Sequence, residues 1–372
     1  MAKTARIIIG ANYGDEGKGT VTARYTKESE VSVLNILTNG GPQRGHSIVS
    51  DYGEHTFKHF GSGTYYGAAN YYSRFFIINP MEFVRELNEM VVKPTYIYRH
   101  PDCMWTTPYD MMANAITEEL KGRHATCGMG IWNTIKRYKD LPYNVRFDTF
   151  MGKNTYHIQM NHLDYIREYH EKNIGVIPEK WKALWYSENL AEHFLLDCKT
   201  MYNFTVPVFD SSFLSNNYDN LIFENGQGLL LSDTGKDDYD RTPSITGIMR
   251  PMEIMNGMGL ITEDGPIEGL DLTVHYVTRP YLTRHGDGNV DNKTDRLSLS
   301  ENVMEDRTNH YNEFQGEFRY GALDLQSLKE RIGKDAGNIP YQLELTHCDE
   351  MDRESEFKKE FKTVNTYEKP EI

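Results

Sequence analysis

Basic charge is in short supply: 40 Lys and Arg stand against 54 Asp and Glu, a formal net charge of −14. A surface of that sign repels phosphodiester backbones, which excludes sequence-independent DNA or RNA binding and leaves room only for a local cationic site around a small phosphate ligand. Long apolar runs are missing too. Stretches such as Arg6 to Ala11 and Leu221 to Phe223 are far too short to span a bilayer, and Met1-Ala-Lys-Thr4 lacks the apolar core of a secretory signal, so a cytoplasmic protein without membrane contact is expected. The four cysteines, Cys103, Cys127, Cys198 and Cys348, show no CxxC spacing, which argues against a zinc site or a disulfide framework. Internal repeats and low-complexity segments are absent. What is abundant is hydrophobic residue (39%) and tyrosine (25 of 372), the composition of a folded chain.

Arg6-Ile-Ile-Ile-Gly-Ala11 reads as a buried strand. A glycine-punctuated turn follows, then a helix from near Gly17 through Tyr25, then a second strand, Val31 to Leu37. That order opens an α/β fold with a large, mostly parallel central sheet. From Pro80 to about Lys199 helical patterns dominate, including Pro80 to Met90 and Tyr109 to Lys121, so residues 80–199 are expected to form a mainly helical subdomain within a single domain of 1–372. Strands return at Leu221–Glu224, Leu272–Thr278 and Tyr341–Leu345. The charged run from Asp349 to Glu371 reads as a solvated terminal helix or tail.

Chemistry concentrates in Gly14-Asp-Glu-Gly-Lys-Gly-Thr20, between a buried strand and a helix start. Glycines let the backbone aim N–H groups at an anion, a helix N-terminus favours negative charge, and Lys18 reaches phosphate. Only two residues separate Gly14 from Gly17-Lys18, too few for the common P-loop. Asp15 is out of place beside polyphosphate unless a metal ion lies between them or it serves as a base.

This heptapeptide resembles the phosphate loop of the adenylosuccinate synthetase family. Asn39-Gly-Gly-Pro-Gln-Arg-Gly-His-Ser47 is similar to that family's GGxNxGHT segment, and further blocks follow in the same order: Gly61-Ser-Gly63, Ile78-Asn-Pro80, His124 to Gly130, Phe223-Glu-Asn-Gly-Gln-Gly-Leu229, Tyr239 to Ser244, Thr283 to Gly288, Asn312 to Asp324 and Leu345-Thr-His-Cys-Asp349. The resemblance implies a ligase that joins L-aspartate to C6 of a 6-oxopurine nucleotide by way of a 6-phosphoryl intermediate. It makes Asp15 the base at purine N1 and His46 a general acid near the transferred phosphoryl group. Gly14, Glu16, Gly17, Lys18, Gly19, Thr20 and Asp349 fall to the triphosphate, and Mg²⁺ falls to Asp15 and the Gly45 carbonyl. Gln43, Thr126, Cys127, Gln227 and Thr242 fall to the purine nucleotide, Arg319 and Gln315 to aspartate. Arg137 and Lys139 lie near the position of an arginine that crosses the family's homodimer interface.

Two departures bear on substrate. Glu317 stands where the family directs an arginine to the ribose, and His347 replaces a lysine in the loop that reads the triphosphate's base. The first suits a deoxyribose and resembles the viral succino-aminodeoxyadenylate branch, which takes dGMP with ATP or dATP. IMP as acceptor and GTP as donor stay open. So do two other readings, a nucleotide-binding regulator without ligase activity and a nucleotide kinase or triphosphatase.

Overall fold

The structure is a computed structural model that describes residues 3–122, 126–142, 144–152, 155–233, 235, 241–286, 288–305 and 316–368. Nine strands form the main sheet, labelled in chain order β1 (Lys3–Gly10), β2 (Val33–Leu37), β3 (Ala69–Tyr72), β4 (Ile97–Arg99), β5 (Val206–Pro207), β6 (Asn220–Gly228), β7 (Leu270–Thr278), β8 (Tyr341–Leu345) and β9 (Val364–Thr366). Their spatial order is β9-β8-β7-β1-β6-β2-β3-β4-β5, and all pairs are parallel.

A parallel sheet covered on both faces needs strands that are apolar throughout. Strand β1 meets this with Ile7, Ile8 and Ile9, all fully buried. Ile7 and Ile9 pack into a core with Met255, Leu328 and Ile332, while Ile8 faces the other way onto Val21, Ile222 and Val277. A further core lies among the helices between β3 and β5, around Trp105, Phe150, Trp185 and Phe194.

Local signals set the helix starts. Helix α1 (Lys18–Lys27) begins after left-handed Gly17. Helix α2 (Pro80–Glu89) is capped by Asn79, whose side chain accepts from the backbone N–H of Met81 and Glu82, with Pro80 in the first turn. Helix α3 (Pro108–Lys121) opens on a capping box in which Thr107 and Asp110 satisfy each other's backbone N–H groups. Helix α4 (Ile131–Asp140) follows left-handed Gly130.

Residues 349–368 correct the expectation of a solvated tail. After a short helix, Glu354–Glu360, the chain adds β9 as the edge strand beside β8. Phe357, Phe361 and Tyr367 are buried, and the Tyr367 hydroxyl donates to Glu344 at 2.7 Å. Three aromatic side chains in a charged run outweigh the solvation of its lysines and glutamates. Among the described residues no helix is long and apolar enough to cross a membrane.

Candidate active site

The loops that carry chemistry leave the carboxyl ends of β1, β2, β6, β7 and β8, the edge at which open parallel sheets bind ligands. The first is the turn after β1. Gly14, Asp15 and Gly17 all adopt positive φ (98°, 59° and 89°), so Asp15 holds a left-handed conformation that costs a non-glycine residue on the order of 1 kcal/mol or more. The surroundings hold it there: Arg279, just beyond β7, donates from Nε to the Asp15 carbonyl at 2.6 Å, and Thr346, just beyond β8, donates to the Glu16 carbonyl at 2.7 Å.

The Glu16 carboxylate is turned into the loop. Its Oε1 accepts from the backbone N–H of Asn12 (2.7 Å) and Gly14 (3.1 Å), and Oε2 lies 3.5 Å from Lys18 Nζ, both side chains being buried. Burial raises the Glu16 carboxyl above its usual range and Lys18 opposes that rise. Glu16 thus braces the turn from inside. Gly10 must be glycine, because a Cβ there would stand 2.7 Å from the Gln227 carbonyl and 2.9 Å from Lys18 Nζ. Thr20 and Gly19 lie in the first turn of α1, and a Cβ on Gly19 would meet the His46 Cβ at 3.1 Å, which places the helix start against the second loop.

That second loop joins β2 to the strand beginning at His46. Behind it lies Glu224, a carboxylate inside buried β6. It accepts from Arg44 Nη2 at 2.8 Å, from His46 Nδ1 at 2.6 Å and from the Ser62 backbone N–H at 3.0 Å. Burial disfavours the charge on Glu224, but Arg44, His46 and Ser62 together outweigh it and hold the carboxyl well below the usual range. With that oxygen ionised, the 2.6 Å contact is a hydrogen bond when the His46 proton is on Nδ1, the tautomer that leaves Nε2 for an incoming group; Arg44 Nη2 stands 2.9 Å from the same Nδ1. Burial and then Arg44 lower the His46 imidazole to about 3, so it is neutral at pH 7. Glu224 and Arg44 received no role from the sequence. The signal for Glu224 was a lone acid in an apolar run; for Arg44 there was none, since its partner lies far along the chain.

Gln43, Thr126, Cys127, Gln227 and Thr242, the five residues assigned by resemblance to the purine nucleotide, line one cleft together with Arg241 and Arg284. Both polar side-chain atoms of Gln43, Oε1 of Gln227 and Oγ1 of Thr242 are buried there without a hydrogen-bond partner among the described residues. Left unsatisfied, each costs on the order of 1–3 kcal/mol, which marks them as groups arranged for a polar ligand. The two amides converge above Gly40, where a Cβ would come within 2.8 Å of Gln43 Nε2 and 3.3 Å of Gln227 Oε1. Gln227 itself is left-handed, at φ 54°. Asn114 of α3 donates to Thr126 Oγ1 at 2.9 Å and accepts from the Gly130 N–H at 3.3 Å, fixing the segment before α4. Burial pushes the Cys127 thiol up to about 11, so it enters the cleft as a neutral, weak donor.

Arg319 lies opposite Arg284 in a small antiparallel sheet and donates to the Gly286 carbonyl, beside the cleft. Glu317 is exposed. Gln315 lies outside the described residues, as do His124, Tyr239 and Asp287 of the matching blocks. Asp349 is exposed after β8, in a loop where His347 is left-handed (φ 57°). That loop joins the phosphate turn a second time, since Arg279 Nη1 donates to the Tyr281 hydroxyl and Tyr281 donates to buried Glu350.

Arg137, one of the two basic residues near the position of the family's interface-crossing arginine, lies in the core. It is 1% exposed, with Nε and Nη2 on the two oxygens of Asp110 (2.9 and 3.0 Å) and Nη2 also donating to the Trp105 carbonyl. His170 joins the same carboxylate at 2.8 Å. A guanidinium so enclosed is a core ion pair. Lys139 is exposed.

A model of the adenylosuccinate synthetase family matches residues 7–367. Among curated relatives, an adenylosuccinate synthetase of Cyanothece sp. is 26% identical over 310 residues, 76% of this chain and 61% of the relative, and one from Dehalococcoides mccartyi is 29% identical over 119 residues, 31% and 27% of the two chains. The matches therefore span less than two thirds of these relatives' lengths. Of solved structures, the fully ligated adenylosuccinate synthetase of Plasmodium falciparum superposes with a TM-score of 0.72 at 20% identity, covering 94% of this chain and 78% of that one. The succinoaminodeoxyadenylate synthetase of cyanophage S-2L, bound to dGMP and dATP, gives 0.66 at 12% identity, covering 98% and 92%. These two likenesses concern the fold, and the family match over nearly the whole length carries the assignment: the chain belongs to the adenylosuccinate synthetase family of carbon–nitrogen ligases.

Proposed function

We propose that the protein joins L-aspartate to C6 of a 6-oxopurine nucleoside monophosphate at the expense of a nucleoside triphosphate, releasing a succino-purine nucleotide, nucleoside diphosphate and phosphate. The observation that carries this reading is the meeting of His46 with Gly19, in the helix start that follows the Asp15 turn, together with the buried Gln43 amide and Gln227 Oε1, which have no hydrogen-bond partner among the described residues and lie in a cleft lined by both side chains.

In this reading Asp15 takes the proton from purine N1 while O6 attacks the γ-phosphorus and the β–γ bond breaks. The aspartate amine then adds at C6 and the C6–O6 bond breaks, so that O6 departs with the phosphate. Catalysis here is positioning and charge neutralisation, tasks suited to loop amides and Lys18. His46 begins neutral with its lone pair on Nε2, and the charge of a bound triphosphate raises its basicity, letting Nε2 carry a proton to the phosphoryl oxygen. Arg319 offers a planar fork for the aspartate carboxylate. The Asp15 carboxylate and the Gly45 carbonyl are hard oxygen donors of the kind Mg²⁺ takes alongside phosphate oxygens. When bound, the ion neutralises charge on the transferring phosphoryl group.

For the acceptor we favour dGMP over IMP. Exposed Glu317 puts no donor toward a ribose, and an arginine facing a missing 2′-hydroxyl would be left unpaired. The fold shared with a cyanophage protein bound to dGMP and dATP makes that pair the first to assay. Further expectations are a homodimer and a cytoplasmic setting. The test is to incubate the protein with Mg²⁺, L-aspartate, ATP, dATP or GTP, and dGMP or IMP, following product mass. A succino-nucleotide is expected, with dGMP giving the larger kcat/KM. Phosphate release that ignores aspartate would favour a triphosphatase, and nucleotide binding without any product would favour a regulator.

A further inference from the structure

Asn12 stands just beyond the end of β1 and is 1% exposed, and each of its four polar groups is engaged by a different part of the fold. Its N–H donates to Glu16 of the phosphate turn at 2.7 Å. Its carbonyl accepts from the N–H of Leu230, three residues past Gln227, at 2.9 Å. In its side chain, Nδ2 donates to the hydroxyl of Thr278, the last residue of β7, at 2.9 Å, and Oδ1 accepts from Arg331 Nη2. The loops on either side touch here: a Cβ on Gly228 would overlap the Asn12 carbonyl and stand 2.7 Å from the Gly14 nitrogen. The turn read as holding the donor's phosphates and the strand end that brings Gln227 to the acceptor are therefore joined through one residue.

Arg331 reaches that residue from the helix Leu325–Ala336, no described residue of which lines the cleft. Leu328 and Ile332 of this helix are fully buried in the core that also holds Ile7 and Ile9 of β1, so helix and strand move as one body. Arg331 is half-buried and spends one edge of its fork on the strand end, Nε donating to the Ala11 carbonyl at 2.7 Å and Nη2 to Asn12 Oδ1. A guanidinium only donates, and the Thr278 hydroxyl already donates to the Arg279 carbonyl at 2.8 Å. The Asn12 amide must then turn its oxygen to Arg331 and its nitrogen to Thr278, and it has one orientation.

We propose that Arg331 is a positioning residue for phosphoryl transfer: acting through Asn12, it fixes the separation of the donor loop and the acceptor loop without touching either nucleotide. In-line transfer asks for reacting atoms about 3–3.5 Å apart, and a misplacement of about 1 Å costs on the order of a hundredfold in rate. A planar fork on a rigid helix, meeting two groups of one strand end, is the kind of outer support that holds such a distance. The contacts that bind each nucleotide belong to the loops themselves, with Glu16 still closing the turn and Gln227 still in the cleft, so loss of Arg331 falls on kcat. The proposal rests on the ligase reading, in which two bound nucleotides react with each other.

The experiment is turnover of the full-length protein with Mg²⁺, L-aspartate, triphosphate and dGMP or IMP, beside calorimetric titration of each nucleotide alone. The variants are Arg331→Met, Arg331→Lys, Asn12→Ala and the double variant Arg331→Met/Asn12→Ala. Arg331→Met, which keeps the stem and loses the fork, is expected to lower kcat about ten- to a hundredfold while KM values and nucleotide affinities stay within about twofold. Arg331→Lys, which keeps donors and loses the planar edge, is expected to fall between, at roughly threefold loss or more. The double variant should be no slower than the slower single variant, because the two residues act as a unit. Wild-type kcat in folded Arg331→Met overturns the proposal; if that variant does not fold, wild-type kcat in Arg331→Lys overturns it. Losses that multiply in the double variant, or affinities that fall in step with kcat, also overturn it. An active wild type with any of these results sinks only the role of Arg331, whereas a wild type that forms no succino-nucleotide sinks the ligase reading and the proposal with it.

Discussion

His46 and His59 both feel one buried cation, Arg44, and burial with that cation lowers each imidazole to about 3. His59 is fully buried, accepts from the Asn79 N–H through Nε2 at 2.9 Å and sits edge-on to Tyr72, Phe76 and Phe83. A histidine depressed in the folded state binds fewer protons there than in the unfolded chain between its two pKa values. Stability is therefore full above about 6.5 and falls as the pH drops toward 3, each such histidine contributing a slope approaching ~1.4 kcal/mol per pH unit. Urea unfolding at pH 7, 6 and 5 should show this decline. His59→Gln, which keeps an acceptor for the Asn79 N–H, should make it shallower by about 1 kcal/mol per unit below pH 6; an unchanged slope would mean that His59 is not held neutral.

At the level of elements, β9 is the one that the sequence pattern hides. Val364-Asn-Thr366 is short and flanked by lysines and glutamates, as edge strands often are, because charge there blocks pairing with other chains. Its weight in the fold comes from Phe361 and Tyr367, 4% and 8% exposed, on either side of it. Phe361→Ala should cost about 3 kcal/mol or more in denaturant unfolding, the usual loss for a buried phenylalanine. Phe209→Ala, at a residue 71% exposed, should stay within about 0.5 kcal/mol. Equal, small effects would return residues 349–368 to the status of a solvated tail.

What could be read in advance follows from where the information lies along the chain. Strand β1 is an unbroken isoleucine run, α2 and α3 carry caps and proline next to their first turns, and the phosphate turn needs glycines whose spacing is visible; all of these signals are local. The brace behind His46 is not. Glu224 lies 178 residues from the histidine it holds, and nothing near Arg44 announces that it will be buried against that carboxylate. Arg137 misled for the same reason. It sits among Lys136 and Lys139 as though on a basic surface, and only the packing of α3 against α4 brings Asp110 to it. Arg241 went unremarked in a block matched for its neighbour Thr242, because the Leu230 and Ser232 carbonyls that accept from it become its neighbours only after folding.

For the whole molecule, the sheet order places the ends of β7, β1 and β6 side by side, so that Arg279, the Asp15 turn and Gln227 meet without long connections. The loop after β8 is tied in through Thr346 and Glu350. Such an edge can hold two nucleotides with the acceptor's O6 facing the γ-phosphoryl group, and the central claim is that this oxygen is the one phosphorylated and expelled. Labelling decides it. With dGMP or IMP carrying ¹⁸O at the 6-position, the claim predicts that each turnover with L-aspartate and triphosphate releases inorganic phosphate bearing one ¹⁸O atom, as read by mass spectrometry. Succino-nucleotide formed with only unlabelled phosphate, the ¹⁸O appearing in water, would contradict it.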